Sequence, residues 1–239
     1  ATILANVVVA IVLTAYACAG HGAAVDNPRA SMSTSESRDA ASREQHPLVT
    51  GVAEEMARRL AAALVPGLHI VATPIGNLGD ISLRALATLA QCDVIYAEDT
   101  RHSRPLLAHF GIDRPLRAYH DHSREADRAR ILDELAAGRR VALISDAGTP
   151  LVSDPGFRLV RAALDAGHAV TAVPGASAAL TALSIAGLPT DTFLFAGFLP
   201  ARSAARRTRI AELKSVPATL ILFEGPSRVA ETLADLAAV

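Results

Sequence analysis

From Leu68 to Val239, short unbroken apolar runs alternate with stretches in which apolar residues recur every three or four positions. Apolar runs bounded by Gly, Pro and Asp predict strands buried on both faces, and the longer spacing predicts amphipathic helices. Read this way, strands fall at 68–72, 93–97, 116–119, 141–145, 169–173, 192–197 and 218–223. Helices fall at 81–90, 101–109, 124–137, 156–166, 176–186, 203–214 and 226–238. Alternation of this kind is the pattern of crossover units, so the predicted fold class is α/β with a mainly parallel sheet covered on both faces.

The pattern changes ahead of Leu68. Residues 3–19 are apolar apart from Asn6, Thr14 and Tyr16, which places them at the short limit of a membrane span. No Lys or Arg precedes the run, and Ala15-Tyr16-Ala17 ahead of Cys18 is a poor lipoprotein signal. Translated sequence upstream of a start at Met32 is the competing reading. Residues 20–50 are rich in Ser, Ala, Gly and charge and read as a disordered linker. Val52, Met56, Leu60 and Leu64 then share one face of a short helix at 52–64. The expectation is an extension at 1–66 whose first fifty residues add nothing to the fold or the chemistry.

Gly187-Leu188-Pro189 reads as a hinge, dividing an α/β unit at 67–188 from a second at 189–239. Two strand–helix pairs after the hinge are too few for an independent core, so the second unit is expected to be partial.

Composition narrows the function. Of 239 residues, 51% are apolar and 4% aromatic, which makes an Ala-, Val- and Leu-dominated core. A net charge of -1 gives no global field to draw in nucleic acid. Lys214 is the only lysine, so recognition of an anion falls to arginine. Cys18 and Cys92 lie in no zinc-binding spacing; Cys92 reads as a small core residue, a reducing compartment fits, and the expected location is cytoplasmic, with an anchor at 3–19 as the alternative.

The chemistry concentrates at strand ends. Thr73-Pro74-Ile75-Gly76-Asn77-Leu78-Gly79-Asp80, Ser145-Asp146-Ala147-Gly148-Thr149-Pro150 and Pro174-Gly175-Ala176-Ser177-Ala178 each follow a predicted strand. In open α/β sheets, ligands bind in the crevice outside such ends. A dinucleotide fingerprint and a Walker sequence are both lacking, which disfavours nicotinamide and nucleoside triphosphates.

Together with Ala97-Glu98-Asp99-Thr100-Arg101-His102, His120-Asp121-His122 and Gly197-Phe198-Leu199-Pro200, these turns resemble the ribosomal RNA small subunit methyltransferase I family of the tetrapyrrole methylase (class III methyltransferase) fold. The resemblance covers Leu68 to about Val239 and implies two α/β domains with a cofactor cleft between them. It implies S-adenosylmethionine as cofactor, a cytidine 2′-hydroxyl of 16S rRNA in the small ribosomal subunit as acceptor, a homodimer, no metal and no stable membrane partner. A tetrapyrrole methyltransferase, a membrane-tethered binding protein and an inactive truncation product are the alternatives.

Cofactor contacts are expected from Pro74, Ile75, Gly76, Asp146, Ala147, Gly148, Thr149, Ser177, Ala178 and Phe198. In the resembled fold the 146–149 turn meets the methionine part and 74–76 forms another wall. Ser177 and Ala178 open a helix whose free N–H groups suit a carboxylate. Phe198 either covers the adenine or packs in the core. A ribose hydroxyl is a weak nucleophile near neutral pH, so a base should help, and Glu98, Asp99 and His120 are the candidates. Capping of the following helix competes as the role of Asp99. Arg101, Arg104, His122 and Arg206 are candidate RNA contacts, the last in a basic patch with Arg202, Arg207 and Arg209. A solvated helix face is the competing reading of that patch.

Overall fold

The computed structural model describes residues 7–11, 46–120, 125–154 and 156–239. The chain runs β1 (Val7–Ile11), α1 (Pro47–Ala61), β2 (Gly67–Val71), α2 (Leu83–Gln91), β3 (Val94–Ala97), α3 (Thr100–His109), β4 (Leu116–Ala118), α4 (Glu125–Ala136) and β5 (Arg140–Ile144). It continues through α5 (Phe157–Asp165), β6 (Val170–Val173), α6 (Ala178–Ile185), β7 (Phe193–Phe198), α7 (Ser203–Leu213), β8 (Thr219–Glu224) and α8 (Val229–Ala238). Each strand and helix expected after residue 66 is present, with ends shifted by no more than three residues. Helix ends move because caps set them: Ser82 Oγ accepts from the Ala85 N–H, so α2 opens at Leu83.

Five parallel strands form the first sheet in the order β4-β3-β5-β2-β6. Its pleat sorts the apolar runs onto two faces. Leu68, Ile70, Val94, Tyr96, Val141 and Leu143 pack under Ile131 and Leu135 of α4 and Leu159 and Ala163 of α5. The alternate residues Val71, Ile95, Ala97, Ala142 and Ile144 pack under Ala85 and Leu89 of α2 and Leu107 of α3. Burial on both faces is why these strands read as continuous apolar runs.

A second parallel sheet has the order β1-β8-β7. One face of it carries Leu220 and Leu222 against Ile210 and Leu213 of α7 and Leu236 of α8. The other carries Ile221 and Phe223 against Ala179 and Leu183 of α6. Thus α6, which the boundary at 188 assigns to the first unit, buries its apolar residues on the second sheet.

Two expectations for the extension are corrected. Residues 7–11 are part of the fold, pairing in parallel with β8 from Val7↔Leu220 to Ile11↔Glu224. A five-residue apolar run is long enough to complete an exposed strand edge, whatever else surrounds it. Helix α1 starts at Pro47 rather than 52, because His46 Nδ1 caps the Leu48 N–H and Pro47 takes the first turn, where no N–H is needed. Among the described residues no helix is long and apolar enough to cross a membrane.

Candidate functional site

The carboxyl ends of the strands converge as the three turns predict. Thr73 and Gly148 exchange backbone hydrogen bonds, N–H to O, at 2.8 and 3.1 Å. Thr149 Oγ1 donates to the Ala176 carbonyl (3.1 Å), joining the β5 turn to the one after β6. Thr73 Oγ1 donates to the Ser145 carbonyl (3.3 Å). Gly148 takes φ +80°, and a Cβ there would stand 3.2 Å from Ile75 Cγ2, so a glycine lets the two turns close on each other.

A cavity of about 340 Å³ opens above these turns. Ile75, Glu98, Asp146, Ala147, Gly148 and Thr149 line it from the first sheet, and Ser177 and Ala178 from the start of α6. Phe198, Phe223 and Gly225 line it from the ends of β7 and β8, so it lies between the two sheets. Phe198 stands edge-to-face with Phe223, with ring centroids 5.7 Å apart.

Of the expected cofactor residues, Pro74 and Gly76 flank this lining without entering it, and the other eight line it. Pro74 is buried beneath the turn; Gly76 is exposed beyond it. Ser177 also caps α6 by accepting from the Leu180 N–H, so its capping role and its place at the cavity coexist.

The acidic junction after β3 divides. Glu98 faces the cavity. Asp99 caps α3, accepting from the Arg101 N–H at 2.8 Å, and pairs with the Arg101 guanidinium at 2.5 Å. That pairing holds the Asp99 carboxyl well below the usual carboxylate range, which makes it a weak proton acceptor. His120 and Arg104 are exposed and lie outside the lining, and His122 lies outside the described residues.

The assignment of Arg206 to RNA is corrected. Its side chain is 2% exposed, with Nε donating to Asp235 at 2.7 Å and a terminal nitrogen donating to the Ala201 carbonyl at 3.1 Å. Arg207 also pairs with Asp235, at 2.6 Å, and Arg209 with Glu212 at 2.8 Å. In the patch read as basic, Arg206 and Arg207 thus tie α7 to α8 through Asp235, and Arg209 pairs within α7.

Val152, Ser153, Asp154, Phe223 and Gly225, absent from the expected contacts, also line the cavity. Ser153 and Leu151 are left-handed at φ 64° and 72°. Non-glycine residues held there cost on the order of 1–3 kcal/mol each and concentrate at ligand clamps. The Ser153-Asp154-Pro155-Gly156 run was a signal for this loop; Phe223 gave none, since it reads as one more apolar strand residue.

The profile of the Tetrapyrrole (Corrin/Porphyrin) Methylases matches residues 67–239, the whole chain from β2 onward. The chain belongs to the tetrapyrrole methylase family. Within that family it is 58% identical over 175 residues to the ribosomal RNA small subunit methyltransferase I of Xylella fastidiosa strain Temecula1, covering 73% of this chain and 64% of that protein. The protein of the same name from Mesorhizobium japonicum is 57% identical over 173 residues, covering 72% and 59%. That from Pseudomonas aeruginosa is 54% identical over 169 residues, covering 71% and 60%. The chain thus spans 59–64% of the length of these relatives. Among solved structures it is similar to the uroporphyrin-III-C-methyltransferase from Thermus thermophilus, with 26% identity over 56% of this chain and 60% of that one, and a TM-score of 0.44.

Proposed function

We propose that this tetrapyrrole methylase methylates a cytidine 2′-hydroxyl of 16S ribosomal RNA in the small ribosomal subunit, using S-adenosylmethionine. The observation that carries the reading is a single cavity in which the three glycine- and proline-marked turns meet a carboxylate, Glu98. The relatives' names support ribosomal RNA as the acceptor.

The donor set fits the cofactor. A cavity of about 340 Å³ is within the range of small-molecule sites, ~300–1,000 Å³. Glu98 and Asp154 offer carboxylates to a cationic ligand, Ser177 and Ala178 offer a helix start to an anionic group, and Phe198 and Phe223 offer ring surface to a purine. When bound, S-adenosylmethionine supplies an electrophilic methyl group on a sulfonium. The protein's part is then orientation, exclusion of water and handling of one proton. Glu98 takes the hydroxyl proton in this reading, since Asp99 is committed to Arg101 and α3.

The test is methyl transfer from labelled S-adenosylmethionine to small ribosomal subunits, followed by nucleoside analysis. Label in 2′-O-methylcytidine is the expected result, and Glu98→Gln should lower the rate far more than the affinity for the donor. Label on a free tetrapyrrole in place of RNA would overturn the reading.

A further inference from the structure

We propose that His102 is a positioning residue for this cleft: through Asp146 it pins the backbone that carries Glu98 to the cleft floor. The inference rests on the methyl-donor reading for its effect on binding, and on geometry alone for the clamp itself.

Asp146 lines the cavity, yet each oxygen of its carboxylate is already engaged. Oδ1 accepts from the Asp99 N–H at 3.0 Å, and Oδ2 lies 2.9 Å from His102 Nδ1. A carboxylate only accepts, so the proton of the second bond sits on Nδ1. The two bonds run from the β5 turn to the β3–α3 junction, across neighbouring strands of the first sheet. The Asp99 amide is the peptide group that follows Glu98, so whatever orients Asp146 also orients the peptide link between Glu98 and α3. His102, in the first turn of α3, supplies the second bond that stops the carboxylate from rotating.

Among the described residues, the charged groups acting on His102 include Asp146 from the β5 turn, and Asp99 and Arg101 from its own helix start. The Asp146 hydrogen bond dominates and raises the imidazole's pKa above its ordinary value. A charged His102 gives a stronger, charge-assisted bond than a neutral one. The clamp is therefore tightest below the unfolded histidine's pKa and loosens as pH rises through the raised value.

The experiment reads the clamp and the ligand separately. Nitrogen-15 histidine titration of the protein should place His102 above free imidazole, and Asp146→Asn should return it to the ordinary value. Hydrogen exchange at the Asp99 amide should quicken in His102→Ala and stay slow in His102→Asn, whose amide nitrogen stands where Nδ1 does. Calorimetry with S-adenosylhomocysteine from about pH 6 to about pH 9 should show wild-type affinity falling with rising pH. His102→Ala should bind about tenfold more weakly at low pH, the scale of one hydrogen bond to a charged group, with no pH slope. His102→Asn should recover most of the affinity and also lose the slope. A His102→Ala protein with wild-type affinity and pH profile, or a His102 titration unmoved by Asp146→Asn, overturns the proposal. A shifted His102 and a slow Asp99 amide without any S-adenosylhomocysteine binding would instead uphold the clamp and reject the methyl-donor reading.

Discussion

Asp93 and Arg140 stand at the starts of β3 and β5 and hold each other twice over. The Arg140 N–H and Nε donate to Asp93 Oδ2 at 2.8 and 3.0 Å, and a terminal nitrogen donates to Oδ1 at 2.6 Å. Their backbones also bond, Asp93 N–H to Arg140 O at 2.8 Å. The Arg140 guanidinium lowers the Asp93 carboxyl to about 2. A depressed carboxylate contributes stability that is present above the unfolded value and lost as pH falls through the folded one. Asp93→Asn should therefore lower stability at neutral pH by about 1 kcal/mol, the worth of a partly exposed bidentate pair. Thermal melts of the two proteins should converge as pH falls from about 4 toward about 2. A constant gap across that range would count against the pair.

At the scale of elements, the β2 and β5 turns behave as one unit because Gly148 lets them touch. Gly148→Ala places a Cβ against Ile75 in a left-handed conformation, which costs about 1–2 kcal/mol for an L-residue. Denaturant melts should show that loss, and calorimetry should show a weaker cofactor site even where the protein remains folded. Wild-type binding in Gly148→Ala would mean that this contact does not shape the cleft. The helix pair α7–α8 makes the opposite kind of unit, organised by charge. Asp235 sits between Arg206 and Arg207, whose guanidiniums hold its carboxyl at about 2. Arg206→Ala should lower the thermal midpoint by several degrees while leaving the salt dependence of RNA binding unchanged. A midpoint unmoved, with a reduced salt slope, would restore Arg206 to the RNA surface.

The strands and the three turns were legible because each is local. A strand buried on both faces must be apolar throughout, and a turn over a ligand needs glycine and proline in place. Arg206 was not legible, because its burial is decided by Asp235 on a different helix, and a helical arginine looks the same in sequence whether solvated or paired. His102 was read only as part of a polar cluster; its partner Asp146 lies on another strand's turn and is found only when the sheet order places β3 beside β5. Phe223 needed the second sheet to be placed against the first before it could be seen at a cavity.

For the whole molecule, β8 lies between β1 and β7, with its side chains buried along its length. Deleting residues 1–12 would bare one row of β8 backbone donors and acceptors, and an open strand edge recruits other chains. Light scattering during heating should then begin at a lower temperature than for the full chain. An unchanged onset would show that β1 adds nothing to the sheet.

The register of β2 carries a consequence in time. It is the earliest-synthesised strand of the five-stranded sheet, yet its neighbours begin only at Arg140 and Val170. At ribosomal speeds that interval lasts on the order of ten seconds. Throughout it the backbone edges of Leu68 to Val71 lack the strands that will pair with them. Long-range parallel pairing of this sort is slow to form in any case. The emerging polypeptide is thus most open to mispairing, and to capture by a chaperone, before Arg140 appears.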